Sequence, residues 1–101
     1  MSIKNSAREL LEKEVGPATF GSFLRVARTS LGLSQTEMGD LLDVSRSVIC
    51  DIEKGRQLVS PKLANKIALK AGLSTILAVK LCLQDQLKAA HLKLKVELEV
   101  A

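Results

Sequence analysis

From Ala7 to Leu87 the apolar residues recur at spacings of three and four, and from Leu94 onward they alternate one by one. The first pattern predicts helices and the second an extended strand. In NSARELLEKEVGP, Ala7, Leu10, Leu11 and Val15 share one side, Ser6 and Glu9 have the spacing of a capping box, and Gly16-Pro17 ends the helix. A second helix opens at Thr19, turns Phe20, Phe23, Leu24, Ala27 and Leu31 inward, and stops at Gly32. Ser34 with Glu37 caps a third, whose inner residues are Met38, Leu41 and Leu42. Ser45 caps a fourth, with Val48 or Ile49 and Ile52 inward and Gly55 at its end.

Ser60-Pro61 opens a fifth helix, because proline at the first helical position loses no hydrogen bond. Leu63, Ile67 and Ala71 form its inner face, and Lys62, Lys66 and Lys70 its outer one, with a solvated role expected for the latter two. A sixth runs from Ser74 or Thr75 to about Ala90. Its first half, ILAVKLCL, is apolar almost all round, which predicts that Ile76, Leu77 and Leu81 pack on another chain. In the tail, KLKVELEV, Leu94, Val96, Leu98 and Val100 fall on one side and Lys95, Glu97 and Glu99 on the other. No other segment reads as a strand, so its partner is expected outside the chain: a second copy of the tail or the edge of another protein's sheet.

A length of 101 residues bounds the chain to one small domain with short extensions. Only Phe20 and Phe23 are aromatic, and an aliphatic-rich chain of this kind belongs to the helical bundles. The net charge of +4 fits a polyanion partner, and its placement sharpens that. Residues 1–18 are neutral, residues 19–73 carry eight basic against five acidic side chains, and residues 74–101 four against three. Cys50 and Cys82 are too few and too scattered for a disulfide framework or a zinc site. Charged residues interrupt every apolar run near the N-terminus, and Leu73 to Leu83 is too short to span a bilayer. A reduced cytoplasmic protein without membrane contact, metal or cofactor is the expectation.

The third and fourth helices are joined by about three residues around Asp43-Val44, which forces a steep crossing. That is helix-turn-helix geometry: the first helix braces across a phosphate backbone and the second offers its N-terminal residues to base edges in the major groove. Arg46 suits a guanine or a phosphate, Ser47 either base or backbone, and Asp51 a cytosine amino group, while Cys50 suits a thymine methyl or a half-buried position. Phosphate contacts are expected around this face at Ser45, Lys54, Arg56 and Lys62. Arg28 and Glu53 both lie beside inward-facing residues, and a partly buried charge needs a partner.

The stretch FLRVARTSLGLSQTEMGDLLDVSRSVICDIEKGR resembles the Xre family, the phage Cro/repressor type of helix-turn-helix, with the likeness extending from Thr19 to Leu73. Its motif is carried by Arg28, Gly32-Leu33-Ser34-Gln35, Val44-Ser45-Arg46 and Ile52-Glu53-Lys54-Gly55. The resemblance implies an all-α, five-helix lambda-repressor-like DNA-binding domain. Around it stand an extra N-terminal helix, a C-terminal helix and the C-terminal strand pattern. It also implies a phosphate contact at Gln35 and a semi-buried salt bridge from Arg28 to Glu53. Two positions depart from the family: Gly39 stands where it usually has Ala, and Asp43 where it often has Gly.

Three segments follow: an N-terminal helical extension at 1–18, the DNA-binding domain at 19–73, and a helix and strand for dimerisation or partner binding at 74–101. His91 is the single histidine, and no phosphate-binding loop, metal-ligand spacing or catalytic cluster accompanies it, so no enzyme is expected. The C-terminal segment resembles that of small Xre-type antitoxins, which implies a repressor that dimerises, binds a palindromic operator on double-stranded DNA and engages a cognate toxin. Its contacts would come from Ile76, Leu77, Leu81, Leu94, Val96 and Leu98. The alternatives are a stand-alone dimeric repressor of phage or restriction–modification type, and an adaptor that binds protein rather than DNA.

Overall fold

Five helices account for the ordered core of the computed structural model, which describes residues 19–101; the helix expected within residues 1–18 lies outside the described residues. They are α1 (Phe20–Ser30), α2 (Gln35–Leu42), α3 (Arg46–Glu53), α4 (Pro61–Ala71) and α5 (Thr75–Ala89). Each starts on a hydroxyl. Thr19, Ser34, Ser45, Ser60 and Ser74 are extended and accept from the third N–H of the helix that follows. Each such cap contributes about 1 kcal/mol by satisfying an N–H that has no helical partner. Thr19 with Ser22 and Ser34 with Glu37 complete reciprocal capping boxes.

The core lies among the five helices, with α1 packed against α3, α4 and α5. Leu24, Ala27, Met38, Ile49, Ala64, Ile67 and Ala78 are fully buried, and among the described residues this buried set includes no polar or charged residue. Fully burying a side chain the size of Leu24, Met38, Ile49 or Ile67 is worth about 1.5–3 kcal/mol, so the inward stripes of these short helices supply most of the stability. Val59, in the loop before α4, is the core residue that no helix carries. Its carbonyl accepts from the Cys82 thiol at 3.1 Å and from Gln86 Nε2 at 3.0 Å, which ties the loop to α5.

Helix α5 resolves its apolar circumference unevenly. Ala78 and Cys82 are buried, and Val79 and Leu81 pack against the core, whereas Ile76 and Leu77 stay 48% and 38% exposed. The free apolar surface of α5 is therefore at its N-terminal end, and Leu81 belongs mainly to the chain's own core. Asp85, half-buried on the same helix, accepts from the Phe20 N–H at 2.9 Å and so caps α1 from a distance. Burial raises its carboxyl above the ordinary aspartate value, against the opposing pull of that N–H and of Lys88.

After α5 the chain reverses at His91, exposed and in the left-handed region with φ 59°, and the Leu92 N–H closes the turn on the Leu87 carbonyl at 2.9 Å. The tail that follows pairs with no strand among the described residues. A side chain holds it instead: Gln84 donates to the Leu94 carbonyl at 2.7 Å and accepts from the Val96 N–H at 2.9 Å.

Candidate nucleic-acid interface

A three-residue turn sets the angle between α2 and α3. Asp43 caps α2 in the left-handed conformation, with φ 61° and ψ 44°, and the Val44 N–H then reaches back to the Gly39 carbonyl at 2.9 Å. A side chain at Gly39 would place its Cβ 2.6 Å from the Val44 carbonyl oxygen, a backbone atom that cannot swing aside. The closeness of the turn here thus favours glycine over the alanine that the family usually carries. Asp43, in contrast, stands where glycine would relieve strain, and its short polar side chain is what makes the conformation bearable.

Helix α3 presents Arg46 and Ser47 as exposed residues in its first turn, directly after the exposed cap Ser45. Cys50 and Asp51 follow one turn further along the same strip and are half-buried. Gln35 occupies the first position of α2 and is half-buried. Lys54 is exposed as the cap of α3, and Lys62 is exposed in the first turn of α4.

The structure also joins residues that the sequence treats separately. Arg56 Nε donates to Asp51 Oδ1 at 3.2 Å, and an Arg56 terminal nitrogen lies 3.9 Å from Cys50 Sγ. One oxygen of Asp51 is thereby occupied, and the second remains as an acceptor. With side chains 60% and 42% exposed, this pair contributes at most a few tenths of a kcal/mol and is free to open. The strip thus divides into a cationic N-terminal end at Arg46 and a charge-balanced C-terminal end about 8 Å along the helix.

What fixes this strip to the core is Arg28. Its Nε and a second guanidinium nitrogen donate to the two Glu53 oxygens at 2.7 and 3.1 Å, and its third nitrogen donates to the Leu33 carbonyl at 3.0 Å. The paired side chains are only 16% and 5% exposed. The hydrogen bond to Glu53 raises the Arg28 pKa above its ordinary value in spite of burial. One planar group thus joins α1, the loop before α2 and the last residue of α3. Gly21 makes the approach possible, since a Cβ there would sit 2.5 Å from the Ile52 carbonyl oxygen and 2.8 Å from that of Glu53.

Gly21 is not among the residues that the hydrophobic pattern singles out, although a glycine in the first turn of a helix otherwise lined with Phe20, Phe23 and Leu24 signals a close backbone approach. From the sequence, Lys66 is expected on a solvated face. Lys66 is exposed, yet its ammonium donates to the Leu42 carbonyl at 3.1 Å and so neutralises the C-terminal end of α2, where the turn begins.

Among the described residues no group of His, Cys, Asp and Glu is arranged to hold a metal ion, and no helix is long and apolar enough to cross a membrane. Residues 24–76 match the family model described as "Helix-turn-helix". Over 53 residues the chain is 40% identical to the "ImmF control region 10 kDa protein" of Bacillus phage phi105, an alignment covering 52% of this chain and 59% of that protein. This chain therefore spans about three-fifths of that relative's length. No solved structure matches.

Proposed function

Because the chain belongs to the Xre-type helix-turn-helix family, we propose that it is a sequence-specific transcriptional repressor that binds double-stranded operator DNA. The observation that carries this reading is the exposed first turn of α3, with Arg46 and Ser47 free, on a helix locked to the core by Arg28 and Glu53. Rigid placement matters because base edges are read by hydrogen bonds that tolerate little displacement. Arg46 and Ser47 face the bases, with Cys50 and Asp51 behind them. Gln35, Ser45, Lys54, Arg56 and Lys62 meet phosphate.

The active form is a C2 homodimer that sets two α3 helices on half-sites roughly 34 Å apart in a palindromic operator. Repression follows from occupying promoter DNA in the cytoplasm. The segmentation has a neutral extension at 1–18, the reading head at 19–73 and an association segment at 74–101. The relative's name refers to a phage control region, which favours a stand-alone regulator. Exposed Ile76 and Leu77 favour a second reading, an antitoxin whose C-terminal segment also binds a toxin.

Titration of the purified protein against its own upstream DNA, over a salt series and beside a scrambled duplex, tests the first reading. Selective binding with a log–log salt slope near −0.9 per phosphate contacted supports it. Equal affinity for both duplexes at every salt concentration would refute sequence-specific repression. Co-purification with the product of the adjacent gene tests the antitoxin reading, and a complex lost on deleting residues 92–101 is the outcome that supports it.

A further inference from the structure

The tail from Leu92 to Val100 carries a pattern that matches itself when reversed about Val96. Lys93 stands opposite Glu99, Lys95 opposite Glu97, Leu94 opposite Leu98, and Leu92 opposite Val100. A strand paired antiparallel with its own copy in that register places every lysine against a glutamate and every apolar residue against an apolar one. Shifting the register by one residue sets charged side chains against apolar ones throughout.

The fold prepares this segment for such pairing. Gln84 takes the Leu94 carbonyl and the Val96 N–H, both of which lie on one edge of an extended chain. The N–H and carbonyl groups of Lys95 and Glu97 then point to the other edge. No hydrogen bond among the described residues takes them up. Side chains agree with a half-finished interface: Val96 and Leu98 are half-buried, while Leu92, Leu94 and Val100 remain 49%, 59% and 83% exposed. Each exposed one meets an apolar partner in the self-paired register.

We propose that the tail is the dimerisation strand of this protein, pairing antiparallel with the tail of a second copy about a two-fold axis at Val96. This deepens the homodimer reading above and rests on it. Lys95 and Glu97 of one copy exchange backbone hydrogen bonds with Glu97 and Lys95 of the other, and the two Val96 residues form the close, non-hydrogen-bonded pair at the axis. Gln84 is the positioning residue: by occupying the inner edge it leaves one edge for a partner and limits the assembly to two strands. Exposed Ile76 and Leu77 lie outside this strand pair.

Charge exchange at the tail tests the register in the full chain. Because of the two-fold axis, Lys95→Glu replaces two attractive pairs by two repulsive ones, and Glu97→Lys does the same. Each single variant should weaken self-association in sedimentation equilibrium roughly tenfold or more, and the double exchange should restore it. In a Cys50→Ser background, Val96→Cys should oxidise to a covalent dimer, since close pairs across such a ladder lie about 4.5 Å apart at Cα. Leu94→Cys should not, because its copies lie roughly 13 Å apart along the strands. Buried Cys82 is out of reach of the oxidant. Dimerisation unchanged by both single exchanges overturns the tail pairing and leaves a dimer through another surface standing. A double exchange that fails to restore association overturns the register. A wild-type chain that is monomeric at every concentration overturns both this inference and the homodimer it rests on, while leaving selective DNA binding to be judged by titration.

Discussion

Replacing Arg28 by alanine removes three donated hydrogen bonds at once and leaves Glu53, whose side chain is 5% exposed, without a counter-charge. Removing one partner of a buried ion pair costs about 3–5 kcal/mol, mostly as the penalty of the charge left behind. Arg28 is the wetter partner at 16% exposure, so water entering its vacated space offsets part of that penalty and the expected loss sits near 3 kcal/mol. For a domain of this size that lowers Tm by about 12–24 °C. The protein has neither tryptophan nor tyrosine, so far-UV circular dichroism under urea is the assay. The midpoint should fall with little change in slope, because the same surface is exposed on unfolding. Joint replacement, Arg28→Met with Glu53→Leu, removes the orphaned charge and should recover most of the loss. A loss below about 1 kcal/mol, or a double variant no better than Arg28→Ala, would refute the assignment of this pair as the lock between α1 and α3.

Four further outcomes follow from the same geometry. Arg46→Ala should cost about 1–3 kcal/mol of operator affinity and relax preference at one base position; equal weakening on every duplex would show a phosphate contact instead. Gly39→Ala should destabilise in urea titration even though alanine is favoured in helices by about 1 kcal/mol, and a net gain would mean that the Val44 carbonyl yields easily. Asp43→Gly should stabilise by up to about 1 kcal/mol by relieving the left-handed cap, and a loss would show that the aspartate side chain does more than tolerate the turn. Burial raises the Asp85 pKa in the folded state, so its contribution is complete in acid, below the unfolded value, and is lost as pH rises through the folded one. Asp85→Asn keeps an acceptor for the Phe20 N–H and should match the wild type in acid but exceed it near neutrality; parallel stability–pH curves would remove the argument.

Helix positions, their hydroxyl caps and most of the inward stripes depend on neighbours within a few residues, and the sequence by itself determined them. Leu31 and Leu41, expected inward, are instead exposed, and Ala64 and Ala68 are buried beside Ile67 while Leu63 and Ala71 are only half-buried. Ser34 with Glu37, Ser60-Pro61 and the turn at Asp43 each act through local hydrogen bonds or backbone preference. The helix-turn-helix and its exposed Arg46 were legible for the same reason: a short turn between two amphipathic helices allows few crossings. Contacts between distant parts of the chain could not be read this way. Only the tertiary structure decided that Asp85 caps α1 across 65 residues, that Lys66 reaches the end of α2, and that Arg56 occupies one oxygen of Asp51. It also decided which part of the apolar α5 stays free, turning Leu81 to the core and leaving Ile76 and Leu77 outside. The tail lies between these cases. Its alternation and reversed charge order are written in the sequence, but which edge remains open depended on Gln84 meeting Leu94 and Val96, a contact that exists only once α5 has folded and the chain has turned at His91.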